Sequence, residues 1–226
     1  MSDRRFRDRT EAGELLAVQL RQYAQHPDGL VLALPRGGVP VAAEIAQSLA
    51  LPLEICLVRK LGLPEHPELA MGAIASDGIM VLNHQVIRQF KISRSDLLRV
   101  ADLERQELER RRQLYQSESP LPLQNRLVIL VDDGIATSST LRAAIALISR
   151  QQPQRLVVAA PVAPPETCEL IQKLVQEVVC LITPDPLSSI GQWYEDFSQT
   201  SDQEVCRLLA EARARLDGSQ PPEFED

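Results

Sequence analysis

The chain has no apolar run long enough to span a membrane, and its opening residues, Met1-Ser-Asp-Arg-Arg-Phe6, hold no apolar core of signal-peptide length. A soluble cytoplasmic protein is expected. A basic surplus is also missing. The 24 Lys and Arg residues are outnumbered by 31 Asp and Glu, giving a net charge of −7. This argues against a nucleic-acid face, because phosphate backbones are bound by basic surfaces. Cys56, Cys168, Cys180 and Cys206 are too scattered for a zinc pattern or a disulfide framework, and Cys168 and Cys180 read as small buried hydrophobes. His26, His66 and His84 are isolated. No Gly-x-x-x-x-Gly-Lys loop occurs, and no Gly-x-Gly-x-x-Gly follows a strand, so two common nucleotide-binding loops are absent. There is no internal repeat.

What is present is a chain of 226 residues, enough for one α/β domain with appendages. Its most telling stretch runs from Val128 to Thr140: Val-Ile-Leu-Val, then Asp132-Asp133-Gly134-Ile135-Ala136, then Thr137-Ser138-Ser139-Thr140. Four apolar residues ending in a turn suit an interior parallel strand, and open α/β sheets bind ligands at such strand tips. Leu141 to Ile148 continues at helical spacing. The first amides of that helix lack intrahelical partners, and with the hydroxyls beside them they form an anion site. Such a site contributes roughly 0.3–1 kcal/mol per charge. Asp132 and Asp133 would repel a phosphate, so their partners are sugar hydroxyls, a cation or a cationic carbon.

Other elements flank this loop. Asp8 and Glu11 fit a capping box for a helix with Ala12, Leu15, Leu16, Leu20 and Tyr23 on its apolar stripe. Leu30–Leu34 is strand-like, broken by Pro35-Arg36-Gly37-Gly38, and a helix follows through Leu49. Leu53–Val58 reads as the next strand, and the polar segment from Arg59 and Lys60 to Glu68 as a mobile loop. Met71–Ala75 and Ile79–Leu82 suggest a hairpin around Ser76-Asp77-Gly78. A charged amphipathic helix is predicted from Ser93 to Gln116, with Leu97, Leu98, Ala101, Leu108 and Leu114 inward and the basic and acidic residues from Arg99 to Arg112 on a solvated face. Arg155–Ala160 and Val178–Ile182 are strands separated by a helix from about Glu166 to Val175. The alternation implies a parallel core sheet. The expected division is a single domain over residues 1–217, with a core at about 9–182, a loop segment at 183–200 and a last helix at about 201–216, followed by a disordered tail at 218–226.

Two strand-to-helix turns, one basic with two glycines and one acidic with hydroxyls, are thus expected at one sheet edge. Together they resemble the type I phosphoribosyltransferases, particularly a bacterial subgroup carrying Leu-Pro-Arg-Gly-Gly-Val-Pro-Val-Ala and Asp-Asp-Gly-Ile-Ala-Thr. The resemblance implies a Rossmann-like α/β fold, with a parallel core sheet flanked by helices and a small hood and flexible-loop region. It implies transfer of a 5-phosphoribosyl group from phosphoribosyl pyrophosphate (PRPP) to a nitrogenous, base-like acceptor, with release of pyrophosphate. By the same resemblance Asp132 and Asp133 hold the ribose hydroxyls and offset charge on an oxocarbenium-like carbon. Ala136, Thr137, Ser138, Ser139 and Thr140 hold the 5′-phosphate, and Arg36, Gly37 and Gly38 the pyrophosphate. Arg59 and Lys60 open a catalytic loop. Ile135, Trp193 and Tyr194 face the acceptor, the last two from a hood at Gly191–Phe197. Mg²⁺ is implied as cofactor, held mainly by substrate with Asp132 and Asp133 reaching it through water, and relatives imply a homodimer.

Two letters depart from the family pattern. Ser138 stands where the phosphate loop usually has glycine, which restricts the backbone if a positive φ is needed there. Ala136 replaces the aspartate of 6-oxopurine enzymes, and Leu156–Val162 lacks their lysine, which disfavours hypoxanthine or guanine as acceptor. A regulatory module that grips PRPP without turnover is the alternative class. A phosphohydrolase fits poorly, because Asp132-Asp133 lacks the one-residue separation of aspartyl phosphatases.

Overall fold

The computed structural model describes residues 5–66, 69–75, 78–115, 122–136 and 138–218. In chain order the first half holds α1 (Arg9–Gln19), β1 (Gly29–Ala33), α2 (Gly38–Leu49), β2 (Leu53–Ile55), β3 (Val58–Gly62), β4 (Ala70–Ala75), β5 (Met80–Leu82), α3 (His84–Gln89) and α4 (Arg94–Leu114). The second half holds β6 (Leu127–Val131), α5 (Ser139–Arg150), β7 (Arg155–Val162), α6 (Pro165–Gln172), β8 (Glu177–Ile182) and α7 (Asp202–Asp217).

Every residue of β1 and β6 is buried, as near-continuous apolar strands covered on both faces must be. Alternate side chains point to opposite faces. Val31, Ala33, Leu127, Ile129, Val131, Val157 and Ala159 pack with α1, α2 and α7. Leu30, Leu32, Val128, Leu130, Leu156 and Val158 pack with α5 and α6. The result is a parallel sheet ordered β2-β1-β6-β7-β8 between two helical layers, the architecture expected from the strand–helix alternation. The chain passes from β1 outward to β2 and later returns to β6 on the other side of β1. This reversal opens a crevice at the carboxyl ends of β1 and β6, where open α/β sheets bind ligands. Ala33 pairs with Val131 in register, so the loops that follow these strands leave the sheet level with each other.

Of the capping box read from sequence, the Asp8 half is in place. Asp8 accepts the Glu11 amide at 2.8 Å, while Glu11 takes the Arg7 amide rather than closing a reciprocal box. Ser93 and Ser201 cap α4 and α7, accepting from Asp96 N and Glu204 N. Gly218 ends α7 at φ 66°, a left-handed conformation that favours glycine. Of the tail expected at 218–226, Gly218 is instead this cap, and residues 219–226, like Ser76-Asp77 of the hairpin turn, lie outside the described residues.

Three expectations need correcting. Leu53–Val58 is not one strand: the amide of Cys56 makes a last bond to Ala33 O, and the chain then crosses to a separate antiparallel sheet ordered β3-β4-β5. Arg59 and Lys60 therefore sit in β3, paired with Ile74 and Ala73 of β4, rather than in a mobile loop. The unexpected helix α3 is capped by Asn83, whose Oδ1 accepts the Val86 amide at 3.2 Å. On α4 the apolar stripe is narrower than its spacing suggested. Ala101 and Leu108 are buried, while Leu98 and Leu114 are exposed.

Candidate active site

The acidic loop is built by continuing β6 past its end. Asp132 N bonds to Ala159 O at 3.3 Å, and Ile135 N to Val162 O at 2.9 Å. The peptide of Asp133 folds back so that its N–H donates to Asp132 Oδ1 at 2.9 Å. Helix α5 then starts at Ser139, with Ser138 as N-cap and no side-chain oxygen closing its first turn, which leaves that helix end open to an anion. Ser138 has φ −79°. This is an ordinary value for an L-residue, so serine in place of glycine carries no strain here. Thr137, expected beside it, lies outside the described residues.

The glycine loop closes against this carboxylate pair from β1. Pro35–Arg36 is a cis peptide, and Gly38 N returns to Leu34 O at 3.1 Å. Gly37 has φ −60°, so its lack of a side chain answers to space, not to an unusual dihedral. A Cβ there would lie 2.0 Å from Asp133 Oδ2, and one on Gly38 would lie 2.8 Å from Val131 O. Gly37→Ala is expected to destabilise the fold by about 1–3 kcal/mol through overpacking and to push Asp133 out of place. A melting curve together with ligand titration checks this, and an unchanged melting temperature would refute the contact.

A cavity of about 280 Å³ opens between the two loops, lined by Pro35, Arg59, Arg111, Asp132, Ala136 and Thr140, with Ile190 at its side. Arg59 bridges to Glu104 of α4, Nε to Oε2 at 2.6 Å. It also lines a neighbouring cavity of about 450 Å³ with Lys60 and Arg99. Arg36 turns the other way, 3.9 Å from Asp202 Oδ1, an oxygen that also accepts the Tyr115 hydroxyl at 2.6 Å. Ser138 and Ser139 are not among the described residues lining the smaller cavity; they are at the open start of α5.

The acceptor residues inferred from sequence are arranged otherwise. Tyr194 is 3 % exposed, stacked on Phe197 at 4.9 Å and tilted against Phe6 at 5.3 Å. Its hydroxyl donates to Asp133 O at 2.7 Å, so it braces the acidic loop and has no free face for a base. Trp193 does not line the cavity, and its carbonyl accepts the Phe6 amide. Ile135 is buried in the core cluster with Leu141. The hood residue that does reach the cavity is Ile190, which also blocks Gly134: a Cβ there would lie 2.4 Å from Ile190 Cγ2.

Arg9 and Arg111 carry no mark in the sequence. Arg9, the first residue of α1, reaches Asp133 Oδ2 through Nε at 2.8 Å and Nη2 at 2.7 Å, and donates to Ser198 O at 2.7 Å. Its guanidinium lies 4.0 Å from the Phe197 ring centroid. No motif signals it, because 124 residues separate it from its partner. Arg111 belongs to a helix face that reads as solvated, and Arg99 and Glu104 of the same face also line the neighbouring cavity. The Asp132 carboxyl is pushed well above the usual carboxylate range, first by burial and then by the adjacent Asp133 charge. Among the described residues no cluster of three His, Cys, Asp or Glu could hold a metal ion, and no helix is long and apolar enough to cross a membrane.

A parallel sheet with a glycine loop and an acidic loop meeting at its switch point defines an α/β domain of the type I phosphoribosyltransferase architecture. The model of the phosphoribosyl transferase domain matches residues 68–196. In two strains of Mycobacterium tuberculosis, a relative whose name assigns it provisionally to the phosphoribosyl transferases is 41 % identical over 229 residues. That match covers 98 % of this chain and 51 % of the relative, so the chain spans about half the length of the curated relatives it matches. The crystal structure of TT1426 from Thermus thermophilus superposes with a TM-score of 0.82 at 40 % identity, covering 92 % of this chain and 98 % of that one. The chain belongs to the phosphoribosyltransferase family. The segment matched by the family model contains the acidic loop and the hood but neither Arg36–Gly38 nor Arg9.

Proposed function

We propose that the chain transfers a 5-phosphoribosyl group from PRPP to a small nitrogenous acceptor other than a 6-oxopurine, releasing pyrophosphate. The observation that carries this reading is the meeting of the two loops, with Asp132, Thr140, Arg59 and Arg111 around one cavity. In this reading Asp132 accepts from a ribose hydroxyl, and the pair, once Asp132 gives up the proton that burial favours, lowers the energy of positive charge developing at the anomeric carbon. Asp133, fixed by Arg9, holds the pair in position. The open amides of α5 and the hydroxyls of Ser138, Ser139 and Thr140 hold the 5′-phosphate, with Thr137 assigned alongside them by the family resemblance. Arg36, swung from Asp202 toward the site, and the Gly37–Gly38 backbone receive the pyrophosphate, and Arg59 and Lys60 supply further positive charge as it leaves.

The donor set suits Mg²⁺ carried mainly by substrate oxygens and water, because Asp132 and Asp133 are two carboxylates and one already serves Arg9. The ion would supply charge screening for the diphosphate, and both aspartates would meet it through water. Thermal-shift titration tests the reading. PRPP with Mg²⁺ is expected to raise the melting temperature more than ribose 5-phosphate or pyrophosphate at equal concentration, reaching about 2.7 kcal/mol of stabilisation over the free protein at a hundredfold excess over its Kd. No shift with any of the three overturns it. Pyrophosphate release across a panel of nitrogenous acceptors then separates transfer from a module that binds without turnover.

A further inference from the structure

Outside the site just described, Cys168 of α6 and Cys180 of β8 face each other at the edge of the parallel sheet. Both are only partly buried, and both line an open cavity of about 600 Å³ together with Glu169, Gln172, Lys173 and Thr183. The two side chains share one cavity wall closely enough for each thiol to perturb the other, and Cys180 Sγ donates to Ile182 O at 3.3 Å. The pair is asymmetric. The interaction with Cys180 brings the Cys168 thiol down from its usual 9 to about 7, while the same interaction and burial push Cys180 upward. A thiol accessible from a cavity, beside a second thiol and about half ionised at neutrality, has the arrangement of an attacking and a resolving cysteine. The other two thiols are different in kind: Cys56 is buried in the core, and Cys206 donates to Leu114 O.

The geometry points to Cys168 and Cys180 as a modification site, a dithiol that hydroperoxides oxidise to a disulfide joining α6 to β8. The Cys168 thiolate attacks one peroxide oxygen; the O–O bond breaks, an S–O bond forms, and the departing hydroxide takes a proton to become water. Cys180 sulfur then attacks the Cys168 sulfenic acid. The S–S bond forms, the S–O bond breaks, and hydroxide leaves with the Cys180 proton as a second water. Two thiols lose two electrons in total, and one hydrogen peroxide becomes two waters.

The test exposes the whole chain to hydrogen peroxide and maps unreduced peptides by mass spectrometry. The expected result is a Cys168–Cys180 cross-link, a fall in thiol titre from four to two, and full recovery with dithiothreitol. Oxidation should quicken as pH rises through about 7. Cys180→Ser should stop at a Cys168 sulfenic acid that dimedone captures, and Cys168→Ser should oxidise far more slowly. Equal loss at Cys56 and Cys206, a titre that falls without this cross-link, or a rate indifferent to Cys168→Ser would overturn the proposal. If either variant fails to fold, the peptide map of the unmodified chain decides by itself.

Discussion

Asp132→Asn is expected to stabilise the protein at neutral pH while weakening PRPP binding roughly 10- to 100-fold, the range for losing a hydrogen bond to a charged group. The two effects have opposite signs because one carboxylate serves two ends. Its folded pKa is raised above the ordinary 3.8 by burial and by Asp133. The folded state therefore holds a proton that the unfolded chain releases, and stability falls as pH rises from the unfolded value through the raised folded one. Asparagine keeps Oδ1 for the Asp133 amide but never ionises, so that loss disappears. Each kcal/mol recovered would raise Tm by about 2–4 °C in a chain of this size. Melting curves for both proteins from about pH 4 to pH 8, a span that starts at the ordinary carboxylate range, should diverge upward with pH, the variant on top. Parallel curves would show that Asp132 is not held against its charge, and undiminished PRPP affinity would remove it from the site.

The second large effect is expected at Arg9. Breaking a mostly buried ion pair by removing one member costs about 3 kcal/mol, because the remaining charge keeps its desolvation without its partner. Arg9 and Asp133 side chains are 11 % and 17 % exposed, so Arg9→Ala should lower Tm by roughly 6–12 °C. Asp133→Asn should be comparably harmful, since it strands the guanidinium. The double variant should lose much less than the sum, a coupling that a double-mutant cycle reads directly. Arg9→Lys should fall between, keeping the charge but losing the two-nitrogen contact. Strictly additive losses would mean that the pair does not act as one unit. PRPP affinity of Arg9→Lys, measured beside its stability, separates a holder of Asp133 from a purely structural anchor: affinity should drop further than Tm implies.

This pair also shows where sequence reading stops. A strand-tip carboxylate looks dispensable to folding, and Asp133 would be so if it stood alone. The tertiary structure makes it the point where α1 and the hood are fastened, through Arg9 on its carboxylate and Tyr194 on its carbonyl. Tyr194 is misplaced by its sequence for a related reason. An aromatic in a loop near a ligand site offers the same letters whether it stacks on a base or on Phe6 and Phe197, and only the packing distinguishes them. Arg59 and Lys60 mislead differently. A polar, proline-containing stretch has no periodicity, so its first residues carry no sign that they pair with β4.

Local chemistry is enough for the rest. Apolar runs in β1, β6 and β7, the cap at Asp8, and the acid-then-hydroxyl order of residues 132–140 are short-range patterns whose causes lie within a few residues, so they are legible without a fold. The family follows from two such loops on one chain. Contacts between distant segments arise only once the chain has folded: the β1–β6 register that levels the two loops, the space that only Gly37 leaves for Asp133, the arrival of Arg9 and Ile190, and the facing of Cys168 and Cys180. Backbone preference is set by neighbours in sequence. The burial and charge pairing that give these residues their chemistry are set by neighbours in space.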